Sequence, residues 1–535
     1  AMGMDSGCSL TSGNRNVFLG LNSGQLTTTG RCNIFLGDNA GNTNTSGDSN
    51  IAIGRDVELP SATGDNQLAI GDGTDRWITG DSSYNVTIAG IATVTASTGV
   101  VQATKFCGDG SCLSGVGFDP DPQENLYAGT GAGNASDGDT CFNIGLGCYA
   151  LRSTNSGDNN IALGNYAGCG LTSGCYNILF GTSAGANAAL TGTNNIAMGR
   201  EAGWQLSSGS QNILLGLESG KGEITGSDNI AIGCHAMRTG TVSGSCNIAL
   251  GASAGKSITS GNYNVFIGKY SGQNATNCSS NVFVGDQTGR CSDGSYNIFM
   301  GACAGKGSST VSNNTGGNNI AMGQNSGFGL TSGNYNIFFG INAGKCNTTG
   351  LDNVFLGVCA GNNISTGNCN IFLGVLAGQG SSTPADNTGH DNIAIGKCSG
   401  LDLTSGDYNI FLGLGAGENV TSGCCNTFIG AFAGSGITGA SWNLMIGDCA
   451  GRCSTTTGQN NIYLGMSAGK CTSSNGSNNI FQGHYAGYCN TSGASNIFLG
   501  SSAGRCSSTG GCNIFLGLKA GELATDCVKN IFIGR

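Results

Sequence analysis

A short apolar run, opened by Asn and closed by Gly, recurs along almost the whole chain. It reads NVFLG at Asn16, NIFLG at Asn33 and NIAIG at Asn50, and returns from Asn143 to Asn530 at steps of 17 or 18 residues with few exceptions. One full unit, from Asn336 to Asp352, reads NIFFGINAGKCNTTGLD. Five apolar residues flanked by Gly and rich in Ile, Val and Phe are too short for a helix and predict a strand. The Ala343-Gly344 pair predicts a tight corner, with a small residue inside it and a Gly at positive φ. Thr331-Ser332-Gly333 is turn chemistry for the return. Each unit is therefore one coil holding one strong strand, a candidate second weak strand and two turns.

Such a coil cannot bury its apolar face alone. Stacked at the ~4.8 Å strand spacing, coils share one continuous core, and the predicted fold is all-β, a parallel β-solenoid. Asn336, Asn353, Asn370, Asn409 and Asn426 would lie one above another. Such a column is either a ladder of side-chain amides bonded from rung to rung or a set of turn-forming Asn at the strand entrance; spacing leaves both open. Two steps of 22 residues, Asn297 to Asn319 and Asn370 to Asn392, carry similar inserts ending in NTGGN and NTGHD, and read as bulged loops on one face.

Side chains alternate across a strand, so in NIFLG the Ile and Leu share one face and the Phe takes the other. Both faces are apolar. If Ile and Leu fill the interior, a column of Phe and Ala is left outside, and a homotrimer or another bundle would cover it. If Phe packs inside, a monomeric, wide-coiled solenoid results. The pattern has period two but no sign.

The repeat lapses between Gly71 and about Gly129, where two of the 4 prolines lie, Pro120 and Pro122. The expected organisation is a short solenoid array over 1–71, a β-rich connector of hairpin character over 72–128, and a long array over 129–535. Roughly 23 coils in the long array would stack to about 110 Å. Ala1-Met2-Gly3 matches the tail of a pentad such as Asn195 to Gly199, and the chain stops one residue after the pentad at Asn530. The expectation is an uncapped piece of a longer fibre.

Composition narrows the function. With 98 Gly and only 52 formally charged residues in 535, the chain fits neither an ordinary globular mixture nor a disordered one. A net charge of −10 without any Lys/Arg cluster argues against nucleic acid and anionic membrane as partners. No apolar run approaches the ~20 residues of a membrane helix, so membrane insertion is not expected. The three histidines, His235, His390 and His484, fall on different coils without a triad or metal motif around them, and the carboxylates are scattered. No catalytic site, cofactor or metal is expected, and the protein reads as a non-enzyme.

Twenty-six Cys without metal spacing favour an oxidising, extracellular setting. Cys453, Cys471, Cys489 and Cys506 occupy the same place in four successive coils, which makes Cys453–Cys471 and Cys489–Cys506 candidate disulfides. Cys512 and Cys527 also precede successive Asn closely. Cys107 and Cys112 bracket GDGS, and Cys169 and Cys175 bracket GLTSG, as candidate loop staples. The competing reading makes these thiols small buried hydrophobes.

The NIFLGxxAGxxxTSGxxN unit resembles repeats of phage tail-fibre-like proteins and of long bacterial surface proteins. NIAIG followed by a small-residue corner also resembles the head repeat of trimeric autotransporter adhesins. The segment from DGTDRWITGDSSYN through ATKFCGDGSCLSGVG is similar to segments that recur in phage fibres. The resemblance implies an extracellular structural or adhesive fibre, foremost a host-attachment shaft on a virion. Its partners would be other copies of the chain, in a homotrimer or filament, and a cell-surface receptor or glycan. The alternative is a self-assembling extracellular filament or bacterial surface adhesin built from the same solenoid. A polysaccharide-cleaving solenoid ranks last, because no carboxylate cluster recurs.

Overall fold

The structure is a computed structural model that describes residues 1–80, 86–88, 94–96, 99–101, 121–186, 189–452, 458–470 and 476–535. It divides into two units, Ala1–Ser114 and Gly115–Arg535.

In the second unit, twenty-four strands of three residues each form one parallel sheet, from Leu126–Ala128 to Ile531–Ile533. Every strand pairs with its counterpart in the next coil in strict register, as in Ile337↔Val354, Phe338↔Phe355 and Phe339↔Leu356. This is the predicted parallel β-solenoid of about 17 residues per coil. The backbone bonding runs beyond the strands. Ile337 N–H donates to Asn353 O at 2.8 Å, Gly344 N–H to Ala360 O at 2.9 Å and Thr331 N–H to Thr348 O at 2.9 Å, so each coil is tied to the next at the strand, the corner and the turn. Among the described residues a second strand forms locally, where Gln205–Leu206 pairs with Glu223–Ile224, with single bridges at Leu171–Leu190 and Ile224–Val242.

The sign of the alternation is now fixed. Phe338 is fully buried while Ile337 and Phe339 on either side are 39% and 53% exposed. Phe and Ala face inward, and Ile and Leu face out, so the arrangement with a Phe and Ala column outside does not occur. Inside, the rings stack, with centroids 5.2 Å apart for Phe338 and Phe355 and 5.0 Å for Phe355 and Phe372.

Two glycines make the coil narrow enough for this. Gly344 has φ +56, and a Cβ there would lie 2.8 Å from the Phe338 ring. Gly340 has φ +136, and its Cβ would lie 2.5 Å from the carbonyl oxygen of Gly357. The predicted Ala-Gly corner is present, with Ala343 fully buried beside Gly344. In some coils, though not where Phe355 meets Ile364 or Phe411 meets Val420, the interior balances a large residue against a small one. Where the strand supplies Ala321 or Ala394, the far wall supplies Leu330 or Leu403; where it supplies Phe338 or Phe372, the far wall supplies Asn347 or Asn387. Matching a large residue with a small one across such a coil maintains interior density there.

The two 22-residue coils leave the ladder undisturbed, since Ile298 still pairs with Ile320 and Ile371 with Ile393. Their extra residues form 3₁₀ turns, Val311–Asn313 and Pro384–Asp386. Each loop closes through one Asn. Asn314 accepts from Ser308 N–H at 3.0 Å and donates to Ser308 O at 2.8 Å; Asn387 does the same with Ser381 at 3.0 and 2.9 Å.

In the first unit, four parallel strands from Val17–Leu19 to Leu68–Asp72 repeat the same coil, and Phe18 stacks on Phe35 at 5.2 Å. The sheet then turns antiparallel. Leu68–Asp72 pairs with Asp75–Gly80, which pairs with Val86–Ile88; Val94–Ala96 and Gly99–Val101 form a separate antiparallel pair.

Candidate functional site

The repeated Asn side chains form the amide ladder that spacing alone left open. Asn353 donates its backbone N–H and its Nδ2 to Asn336 Oδ1, both at 3.0 Å, and its Nδ2 also donates to Gly367 O at 2.8 Å. Asn370 repeats the pattern on Asn353, and Asn426 on Asn409. These Asn are fully buried, so each amide must find partners within the protein, and the in-register stack supplies them. Asn125 begins the ladder in the second unit, and Gln67 closes it in the first by donating its backbone N–H to Asn50 Oδ1 at 2.7 Å.

A second ladder escaped the sequence reading. In many coils the side chain two residues before the ladder Asn accepts a backbone N–H from the coil before it. Ser210 Oγ, Ser227 Oγ and Asn262 Oδ1 accept in this way at 3.0, 3.0 and 2.8 Å. His390 serves the same purpose: its Nδ1 accepts from Asn368 N–H at 3.0 Å, while its own N–H donates to Asp407 at 2.7 Å. Its role is architectural. The signal was the recurrence of Ser, Asn and Asp at that one place.

The described cysteines follow columns without being joined. Cys169 is buried and its Sγ donates to Ala186 O at 3.0 Å, whereas Cys175 Sγ accepts from Asp158 N–H at 3.4 Å. Each thiol of that expected staple is turned to a different partner, and both are free. Cys506, Cys512 and Cys527 are also free thiols. Cys512 is exposed in front of its ladder Asn, and Cys527 offers its carbonyl to Asn513 Nδ2, so they occupy different columns. Cys489 is half-buried and tied by its N–H to Arg505 O at 2.8 Å. Cys107, Cys112, Cys453 and Cys471 lie outside the described residues. The described residues thus form no disulfide, and Cys278 is a buried hydrophobe whose thiol is pushed up to about 12 by burial and by Asp293.

Charges gather at one corner. Glu218 meets Arg238, Lys221 at 3.4 Å and His235 at 3.5 Å, and Lys221 also reaches Glu201. Burial works against the Glu218 carboxylate, but Arg238 and Lys221 outweigh it and hold it below the usual range. Lys221 is raised, chiefly by its hydrogen bond to Glu201. Beside them lies a shallow groove of about 490 Å³ floored by Trp204, Glu223 and Arg238, with Lys221 Nζ 5.5 Å from the Trp204 ring. His484, the third histidine, packs against the Tyr485 ring. Among the described residues, no group of three or more His, Cys, Asp or Glu is placed to hold a metal ion, and no helix is long and apolar enough to cross a membrane.

Two outward features remain. One is the continuous face of Ile, Val, Leu and Met from the outer sides of the strands, widened by Ile341, Val358, Val375 and Leu414 just beyond them. The other is the residue before each ladder Asn, held at positive φ coil after coil and filled at intervals by an aromatic: Phe142, Tyr176, Tyr263, Tyr296, Tyr335, Tyr408 and Trp442. No protein-family model matches the chain, and none of the curated proteins matches it significantly.

Proposed function

We propose that the chain is the shaft of a structural or adhesive extracellular fibre of the host-attachment, tail-fibre type, and that it is not an enzyme. The buried, unbroken Asn ladder carries this reading. It fixes each coil to the next through side chain and backbone together, which makes length and stiffness the property the repeat secures. The resemblance of the repeat to fibre proteins supports the same reading. Electron microscopy of virions labelled with antibody against the protein tests it: label along virion appendages is expected, and label on free or cell-anchored polymers would reject the virion assignment.

The Ile/Leu face favours the second reading, a self-assembling filament or adhesin. A strip about 110 Å long and about 10 Å wide offers roughly 1,100 Å² per copy, more than the about 800 Å² that each partner contributes to a standard stable interface. Native mass measurement distinguishes the outcomes, with a trimer or higher polymer expected and a monomer at micromolar concentration counting against lateral assembly.

A further inference from the structure

We infer that the outward aromatic column is a binding track for an extended β-1,4-linked glycan lying along the coil axis, an inference that rests on the attachment-fibre reading.

Tyr263, Tyr296, Tyr335, Tyr408 and Trp442 occupy equivalent places, each immediately before its ladder Asn, and are between 57% and 66% exposed. All five sit at φ between +57 and +62, where a bulky side chain costs about 1–2 kcal/mol relative to the ordinary backbone regions. Their rings and hydroxyls make no hydrogen bond or ring contact among the described residues. The fold sets this φ in every coil, Ser280, Asn318 and Asp352 included, so it does not call for an aromatic; exposed aromatics placed there without a ring or hydrogen-bond partner point to an external one.

Their spacing identifies the partner. Tyr263, Tyr296 and Tyr335 stand on every second rung, with Ser280 and Asn318 between them. Tyr408 and Trp442 keep the same phase, Cys369 filling the one place between Tyr335 and Tyr408. Two rungs amount to about 9.6 Å, close to the length of one disaccharide in an extended β-1,4-linked chain, where alternate sugars present the same face. Crowding does not impose the interval. Tyr149 and Tyr166, on adjacent rungs of a neighbouring outward column, sit 5.1 Å apart. Ser280, Asn318, Asp352 and Asp391, on the rungs between, offer hydroxyl, amide and carboxylate groups to sugar hydroxyls. The aromatic rings stack on the C–H faces of alternate sugars, and the polar rungs read the others.

The test is calorimetric titration of the full chain with cellohexaose, chitohexaose and the α-linked maltohexaose, whose helical form cannot follow a straight track. Binding of one or both β-1,4 hexamers, with maltohexaose at least about tenfold weaker, is expected, and the two β-linked arms tell glucan from chitin. The double variant Tyr296→Ala/Tyr335→Ala should weaken binding by about tenfold or more with an unchanged unfolding midpoint. The exchange Tyr335→Asp/Asp352→Tyr keeps composition and exposure but breaks the two-rung phase, and should lose affinity equally. No binding of any hexamer, equal binding of maltohexaose, or full affinity in the exchanged variant would each overturn the track. A change in native mass in these variants without glycan binding would make the column a contact between copies instead. Labelled virion appendages whose protein binds no glycan would defeat this inference and leave the shaft reading standing.

Discussion

Asn336 Oδ1 receives two hydrogen bonds from the same residue of the next coil, the backbone N–H and the Nδ2 of Asn353, each at 3.0 Å. Asn353 then offers its own Oδ1 to Asn370 in the same double manner. Replacing Asn353 with Leu leaves the Asn370 backbone N–H and Gly367 O unpaired in a buried site, at a cost of about 1–3 kcal/mol for each group so stranded, while Asn336 Oδ1 keeps only the backbone N–H of residue 353. Hydrogen exchange should show faster opening at Val354 and neighbouring amides, with coils several rungs away unaffected, because stacked repeats feel chiefly their nearest neighbours. Unaltered exchange at Val354 would reduce the ladder to decoration.

Gly344→Ala should be among the most damaging single changes. The new Cβ meets the Phe338 ring at 2.8 Å and the residue must hold φ +56, where the backbone penalty alone is about 1 kcal/mol or more. Phe338→Leu on top of it should restore part of the loss by drawing the ring away. Thermal unfolding of the single and double variants measures this, and strict additivity would argue that ring and glycine are not coupled.

Asn347 is fully buried, and neither its Oδ1 nor its Nδ2 has a hydrogen-bond partner. In the next coil Ile364 occupies the equivalent place against Phe355. Asn347→Ile should therefore stabilise the protein, by about 1–3 kcal/mol from removing an unpaired buried amide. A lowered unfolding midpoint would show that Asn347 has a partner in solution.

Thiol reactivity should separate two classes of cysteine. Cys278, with its thiol pushed up to about 12 and no surface exposure, should resist alkylation at pH 8, while the exposed Cys32, Cys425 and Cys512 react. Mass spectrometry after brief alkylation reads the sites directly, and modification of Cys278 in the folded chain would contradict its burial.

The corner around Glu218 should depend on pH at both extremes. The folded carboxylate is held below its unfolded value, so its contribution is present above the ordinary Glu range and lost as the pH falls through the folded value. Lys221 is raised, so its contribution persists below the ordinary Lys range and is lost as the pH rises through the folded value. Glu218→Gln should abolish the acid-induced loss of protection at the residue 218 and Thr239 amides; its persistence would place the titrating group elsewhere.

Much of the fold could be read from the chain because one residue type marked each coil. Asn opens the pentad almost every time, and its interval set the strand, the rung and the register. Which face turned inward could not be read from NIFLG, since both faces are apolar. The deciding information lay farther along the coil, where Gly344 leaves room for the Phe338 ring and where Leu330 answers Ala321. Cys169 and Cys175 bracket a turn in sequence, yet their sulfurs bond to different neighbouring coils, a distinction that depends on side-chain direction rather than spacing. The aromatic column was likewise hidden, because Tyr263 and Tyr335 look like ordinary turn residues until the rungs are aligned.

The paired clasps at Asn314 and Asn387 show how such a chain can acquire new parts. Five additional residues pass outward and are knotted off by one amide, while the strands on either side meet as if nothing had been added. A molecule organised this way separates growth in girth from growth in length. Its flank can be embroidered at chosen storeys, by evolution or by an engineer, without the scaffold losing count.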